Sequence, residues 1–188
     1  MTKRILALVM AALMVLSFAA CGGSKEDAKN DVQIESSVAL LDSIWSTLGE
    51  DEKFPVMGGD FSAPVDGGAG AFNLTDKENA VAQLHIAEAD IALVSEAATI
   101  IHAMNANTFT AAAYRLNEGT DSAAFVASLK DSIVATQWMC GFPDTLVIYT
   151  IGDYVVAAFG NTDAITLFKT KLAAVYPDAA LSVEEPLV

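Results

Sequence analysis

The alternation of apolar and polar positions divides the chain into segments of different period. Ile34, Val38, Leu41, Ile44, Trp45 and Leu48 recur at helical spacing, with serines and acids between them and Gly49 after them. That pattern predicts an amphipathic helix of about four turns, packed by one face and stopped by the glycine. Over residues 50–73 the period is lost. Phe54-Pro55, Gly58-Gly59-Asp60, Ala63-Pro64 and Asp66-Gly67-Gly68-Ala69-Gly70 all favour turns, so the segment reads as one long irregular loop. Loops of that length are uncommon in a domain unless they are mobile or functional. Thr75-Asp76-Lys77-Glu78 then has the form of a capping box and opens a short helix through Ala80, Val81 and Leu84.

The second half of the chain is more regular. Apolar runs at 97–104 and 109–116 flank Asn105-Ala106-Asn107-Thr108 and predict a β-hairpin, although the alanines of the first run also suit a helix. Gly119-Thr120-Asp121 opens a helix that carries Phe125, Leu129 and Ile133 on one face and ends before Gly141 and Pro143. β-Branched and aromatic runs at 145–151 and 154–159 follow, joined by Gly152-Asp153 with glycine where a type II′ turn needs it. Asn161 caps a last helix bearing Ile165, Phe168, Leu172 and Val175, and Pro177 stops it, leaving Glu184 and Glu185 in a tail. Hairpin, helix, hairpin, helix predicts an α+β fold. The simplest form is a two-layer sandwich: a four-stranded antiparallel sheet in ββαββα order, both helices on one face, and the N-terminal helix on an edge or the other face.

Composition narrows the function classes. The 24 Asp and Glu residues outnumber 10 Lys and Arg, for a net charge of −14. Such a balance argues against nucleic acid and against electrostatic adhesion to anionic lipid, both of which need clustered cations. With 53% hydrophobic residues the chain can fill the core of one domain of ordinary size.

The first residues add a location. Lys3 and Arg4 precede an apolar run over 5–20 that is short for a membrane span, the layout of a secretory leader. Leu16-Ser17-Phe18-Ala19-Ala20-Cys21 ends it, followed by Gly22-Gly23, and this stretch resembles a bacterial lipobox, with Phe18 where the pattern usually has Leu. The resemblance implies a lipoprotein signal peptide over 1–20, diacylglycerol on the sulfur of Cys21, a flexible tether over 21–32 and a single extracytoplasmic domain over 33–188. That domain would be anchored at the outer face of the cell membrane through the lipid. The alternative is ordinary secretory cleavage after Ala20, which gives a free protein. With Cys21 lipidated, Cys140 has no partner for an intrachain disulfide.

Few residues offer chemistry. Cys140 follows Trp138 near the expected end of a helix, where the partial negative charge disfavours a thiolate, so it reads as a buried structural cysteine before a reactive one. His85 and His102 are the only histidines. Either suits a metal ligand or a base, but neither has a local partner, so His85 is assigned to a helix surface and His102 to the first hairpin. Asp60 and Asp66 lack the ligand spacing of a calcium loop, and the glycines follow no phosphate-binding pattern. The residues therefore point to no catalytic set, no metal and no cofactor.

The lipobox, the Asn105-Ala106-Asn107-Thr108 turn, the Trp138-Met139-Cys140-Gly141-Phe142-Pro143 corner and the Gly152-Asp153-Tyr154-Val155-Val156 hairpin together resemble a group of Firmicutes lipoproteins, similar to the domain-of-unknown-function 4358 family. The likeness covers residues 74–177. It implies a small α+β extracytoplasmic domain in a Gram-positive envelope, and it brings no activity and no catalytic residues. Two functions follow as expectations. The favoured one is a non-catalytic binding or envelope-accessory module that holds a protein partner or a small ligand; the alternative is an envelope enzyme using Cys140 as a thiol nucleophile, with His85 or His102 as base.

Overall fold

A computed structural model describes residues 33–104 and 107–187. Cys21, the leader, the tether and the first two residues of the Asn105-Ala106-Asn107-Thr108 turn lie outside the described residues. Helix α1 (Ser37–Trp45) is capped by Ser36, whose hydroxyl accepts the N–H of Ala39 at 3.1 Å. Three short strands follow, β1 (Val56–Gly58), β2 (Val65–Asp66) and β3 (Gly70–Phe72). Helix α2 (Lys77–Leu84) and a 3₁₀ turn (Glu88–Leu93) lead into the hairpin of β4 (Val94–His102) and β5 (Phe109–Leu116). Helix α3 (Ser122–Val134), the hairpin of β6 (Thr145–Ile151) and β7 (Tyr154–Gly160), helix α4 (Thr162–Val175) and strand β8 (Ala180–Pro186) complete the order.

The fold is α+β with an antiparallel sheet, and the sheet is larger than expected. It has eight strands in the order β2-β1-β4-β5-β7-β6-β8, with β3 also paired to β4, in place of the four predicted. Three of the added strands come from the stretch read as an irregular loop. β1 and β3 share one edge of β4, with Gly58 opposite Ile100 and Gly70 opposite Thr99. Their backbones pass so close that a Cβ on Gly58 would run into Ala69 and Gly70. Glycine here lets the end of one strand abut the start of the next along β4, whereas the same residues in sequence look like punctuation. The fourth added strand is β8, which pairs with β6 where a tail was expected. It is pinned by an ion pair between Lys169 of α4 and Glu184 at 2.5 Å.

The helices cover both faces of the sheet, which corrects the two-layer arrangement. α1 and α4 bury Leu40, Leu41, Ile44, Ile165, Phe168 and Leu172 on the face formed by Ala111, Ala113, Val156 and Ala158. α2 and α3 bury Leu84, Phe125, Leu129 and Ile133 on the opposite face, against Ala112, Tyr114, Val155 and Ala157. The reason lies in the strands. Every residue of β7 is buried, so neither of its faces can meet water, and each must be covered by a helix layer. The two hairpin-helix units are thus alike in order but place their helices on opposite sides. Tyr114 locks α2 down, its buried hydroxyl donating to the carbonyl of Leu84 at 2.6 Å.

The remaining caps follow the sequence closely. Asp121 accepts from Ala123 and Ala124 at the start of α3, and Asn161 from Ala164 at the start of α4. The cap of α2 is Asp76, one residue after the predicted Thr75, whose hydroxyl is taken by Asn73 at 2.7 Å. Gly152 has φ +59° and Asp153 has no positive φ, the pattern of a type II′ turn.

Candidate functional site

Three segments converge at one end of the sheet. The first is the end of β4 with the start of β5, carrying His102, Met104 and Asn107. The second is the loop from α3 to β6, and the third is the N-terminus of α4. They are tied together by backbone bonds from Asn161 N–H to Thr108 carbonyl at 2.8 Å and from Asp144 N–H to Gly160 carbonyl at 2.9 Å. Two clefts open there. One, of about 120 Å³, has Cys140, His102, Trp138 and Phe159 among its walls. The other, of about 510 Å³, lies between Phe54, His102, Asp144 and the first residues of α4. His102 belongs to both.

His102 is set in place by its neighbours. It is 8% exposed, and its ring stacks on Phe54 with centroids 4.9 Å apart and 9° between the planes. Phe54 is itself wedged edge-on against Trp45 and Phe109. The Nδ1 of His102 accepts the backbone N–H of Met104 at 2.9 Å. Burial pushes its pKa below the usual histidine range. A neutral imidazole whose Nδ1 is an acceptor carries its proton on Nε2, so His102 offers the clefts an N–H donor.

Cys140 is exposed, which overturns its reading as a buried core residue. Helix α3 stops at Val134, so the cysteine does not sit at a helix C-terminus. It belongs instead to a loop that turns at Gly141, with φ +80°. The same loop leaves Met139 87% and Phe142 61% exposed, and Met104, which lines the smaller cleft, is 53% exposed. Trp138 anchors the loop by packing inward.

His85 is not a helix-surface residue. It ends α2 in the left-handed conformation, φ 54°, the one non-glycine residue with positive φ among those described. Its ring packs against Trp138 at 5.2 Å and Phe159 at 5.1 Å, and its Nδ1 meets the hydroxyl of Thr136 at 3.0 Å. Burial lowers its pKa to about 4. His85 therefore supports the wall of the smaller cleft from behind. Of the three candidate reactive residues, the fold brings Cys140 and His102 to one cleft and keeps His85 out of it.

Asp60 has a structural task. It is buried and accepts from the N–H groups of Ser62 at 2.8 Å, Ala63 at 3.1 Å and Asn73 at 3.2 Å, and from the Ser62 hydroxyl. The Ser62 hydroxyl, with these N–H groups, holds its carboxyl below the usual range. Asp66 is exposed in β2. Among the described residues, no three His, Cys, Asp or Glu side chains are grouped to hold a metal ion, and no helix is long and apolar enough to cross a membrane.

Sequence reasoning did not single out Phe54, Asp144 or the exposed Met139 and Phe142. Asp144 accepts from the N–H of Thr162 at 3.0 Å and so fixes the start of α4 beside the larger cleft. Its place after Pro143 and before a strand was the available signal. Set against protein-family models, curated proteins and solved structures, the chain matches none.

Proposed function

We propose that the chain is a membrane-anchored extracytoplasmic lipoprotein, similar to the domain-of-unknown-function 4358 group, that binds a ligand or envelope partner without transforming it. The paired clefts at the β4 end of the sheet are its binding site. The observation that carries the binding role is the state of His102: neutral, oriented by Phe54 and Met104, and presenting Nε2–H. A general base needs a bare nitrogen, and the one His102 has is taken by a backbone N–H. The alternative, a thiol enzyme, draws support from Cys140 and His102 lining one cleft, but this imidazole is set to donate a hydrogen bond from Nε2 and has no free nitrogen to take a proton from the thiol. Anchoring rests on the lipobox-like stretch ending at Cys21.

The test is a photo-crosslinking residue placed at Met139 in the chain expressed in its own membrane, with Cys21→Ala beside it. An abundant adduct at Met139, weakened by His102→Ala and lost when Cys21→Ala releases the protein, is the expected result. If Met139 gives no adduct while surface positions on α3 do, the clefts are not the binding site. Retention of the Cys21→Ala form in the membrane removes the lipid anchor.

A further inference from the structure

We infer that the two clefts flanking His102 together seat a segment of another polypeptide, with one apolar side chain in the smaller cleft and a Lys or Arg beside the carboxylates of the larger. This deepens the binding reading above and rests on it. Size comes first. The smaller cleft, about 120 Å³, has room for about four waters at ~30 Å³ each, well short of the ~300–1,000 Å³ that whole small ligands occupy. A single side chain fits it, held between Trp138, Phe159 and Phe109 as an anchor residue is held at a protein interface. Exposed Met104 lines it, and the loop that walls it at Cys140 and Gly141 carries Met139 and Phe142, both exposed. Large apolar groups left exposed on a loop that walls a cleft mark an interaction surface, and methionines adapt their shape to the chain that covers them.

Charge chooses the occupant. The larger cleft is lined by Asp144 and Asp163 and by no Lys or Arg. Neither carboxylate is in an ion pair among the described residues. A place near the N-terminus of α4 accounts for acids there on structural grounds alone. It does not account for the apolar smaller cleft that shares His102 and Asn107 with theirs. Together the two features complement a segment that carries an apolar residue next to a cation. They do not complement an anionic lipid surface, which these acids repel, nor a second copy of this chain, which would bring the same acids face to face. His102, shared by both clefts, directs its Nε2–H to a backbone carbonyl of the bound segment, a contact that no particular side-chain sequence is needed to make.

Random twelve-residue peptides displayed on phage and selected on the full chain supply the probe. Peptides with an aliphatic or aromatic residue within a few positions of Lys or Arg should be enriched. A fluorescent copy of the best of them should bind about tenfold more weakly to Asp144→Asn/Asp163→Asn and to Met139→Ser/Phe142→Ser. Added salt should weaken binding to the parent and much less to the Asn variant. Both pairs sit on the surface, and asparagine at 144 keeps the acceptor for Thr162, so unchanged circular dichroism shows that loss of binding is not loss of fold. No enrichment, an acidic consensus, or affinity indifferent to both variants overturns the inference. So does self-association of the protein that the same variants abolish, which would make a second copy the occupant. A Met139 adduct that proves to be a small molecule also sinks this inference and leaves the binding site standing.

Discussion

Glu96 of β4 accepts the backbone N–H of Ser37 at 2.6 Å and its hydroxyl at 3.1 Å, so a strand carboxylate closes the N-terminus of the helix lying across it. The Tyr154 hydroxyl reaches the same oxygen at 3.4 Å. A carboxylate is favoured there because the first N–H groups of a helix have no partner within it. Glu96→Gln should cost about 1 kcal/mol, and Glu96→Ala about 2 kcal/mol because the buried N–H of Ser37 is left bare. Urea unfolding measures both. Equal stability of all three proteins would show that α1 is held by its apolar face alone.

The histidines predict acid sensitivity. His85 has a pKa of about 4 in the folded chain, against about 6.5 for the unfolded one. Between those values the unfolded chain binds the extra proton, so stability is full above about pH 6.5 and falls as pH drops toward 4, by about 3 kcal/mol for this one group. His102, shifted the same way by burial, adds to the loss. His85→Asn keeps a residue that tolerates positive φ and removes the titration. Unfolding free energies from pH 4 to 7 should be flatter for that variant; parallel curves would refute the assignment.

Exposed Cys140 predicts prompt alkylation of the native protein at pH 7, within a few fold of the rate for the unfolded chain. The adduct, located by peptide mapping, should perturb the fluorescence of Trp138 across the cleft and weaken whatever binds there. A native rate a hundred times below the unfolded one would return Cys140 to the core.

Where the end of β1 abuts the start of β3, Gly58→Ala should cost about 2 kcal/mol, because its Cβ meets backbone that cannot move aside. Gly67, which has open space around it, makes the comparison: its substitution carries only the strain of φ +78°. If Gly58→Ala proves the milder of the two by calorimetry, the close approach of Gly58 to Gly70 is wrong.

The central strands were legible because β-branched runs, a Gly-Asp turn and capping Asp and Asn residues all mark the same boundaries. Thr145–Ile151 is found where its composition places it. The sidedness of the helices was legible too, in the lack of polar alternation along 145–151 and 154–159, but it requires reading an antiparallel sheet as buried on both faces. Residues 56–72 escaped because glycine signals both turn and close backbone approach, and only the neighbouring strand decides between them. β8 escaped because its residues are mostly exposed at an edge. At the site, His102 was visible as a titratable side chain. The tautomer that decides its role depends on the N–H of Met104, and the exposure of Cys140 on where α3 stops, and neither is written in local spacing.

Among the described residues, strand β8 pairs with no strand but β6, and it is joined to α4 through exposed Pro177 and Asp178. A protease that cut there would free strand β8 from the helix before it and, once the strand came away, bare the hydrogen-bonding edge of Thr145–Ile151. That edge is β-branched and apolar, a ready template for strands from other molecules. The last strand is thus a safety catch: intact, the sheet is finished, and once nicked, the domain becomes a seed for its own aggregation.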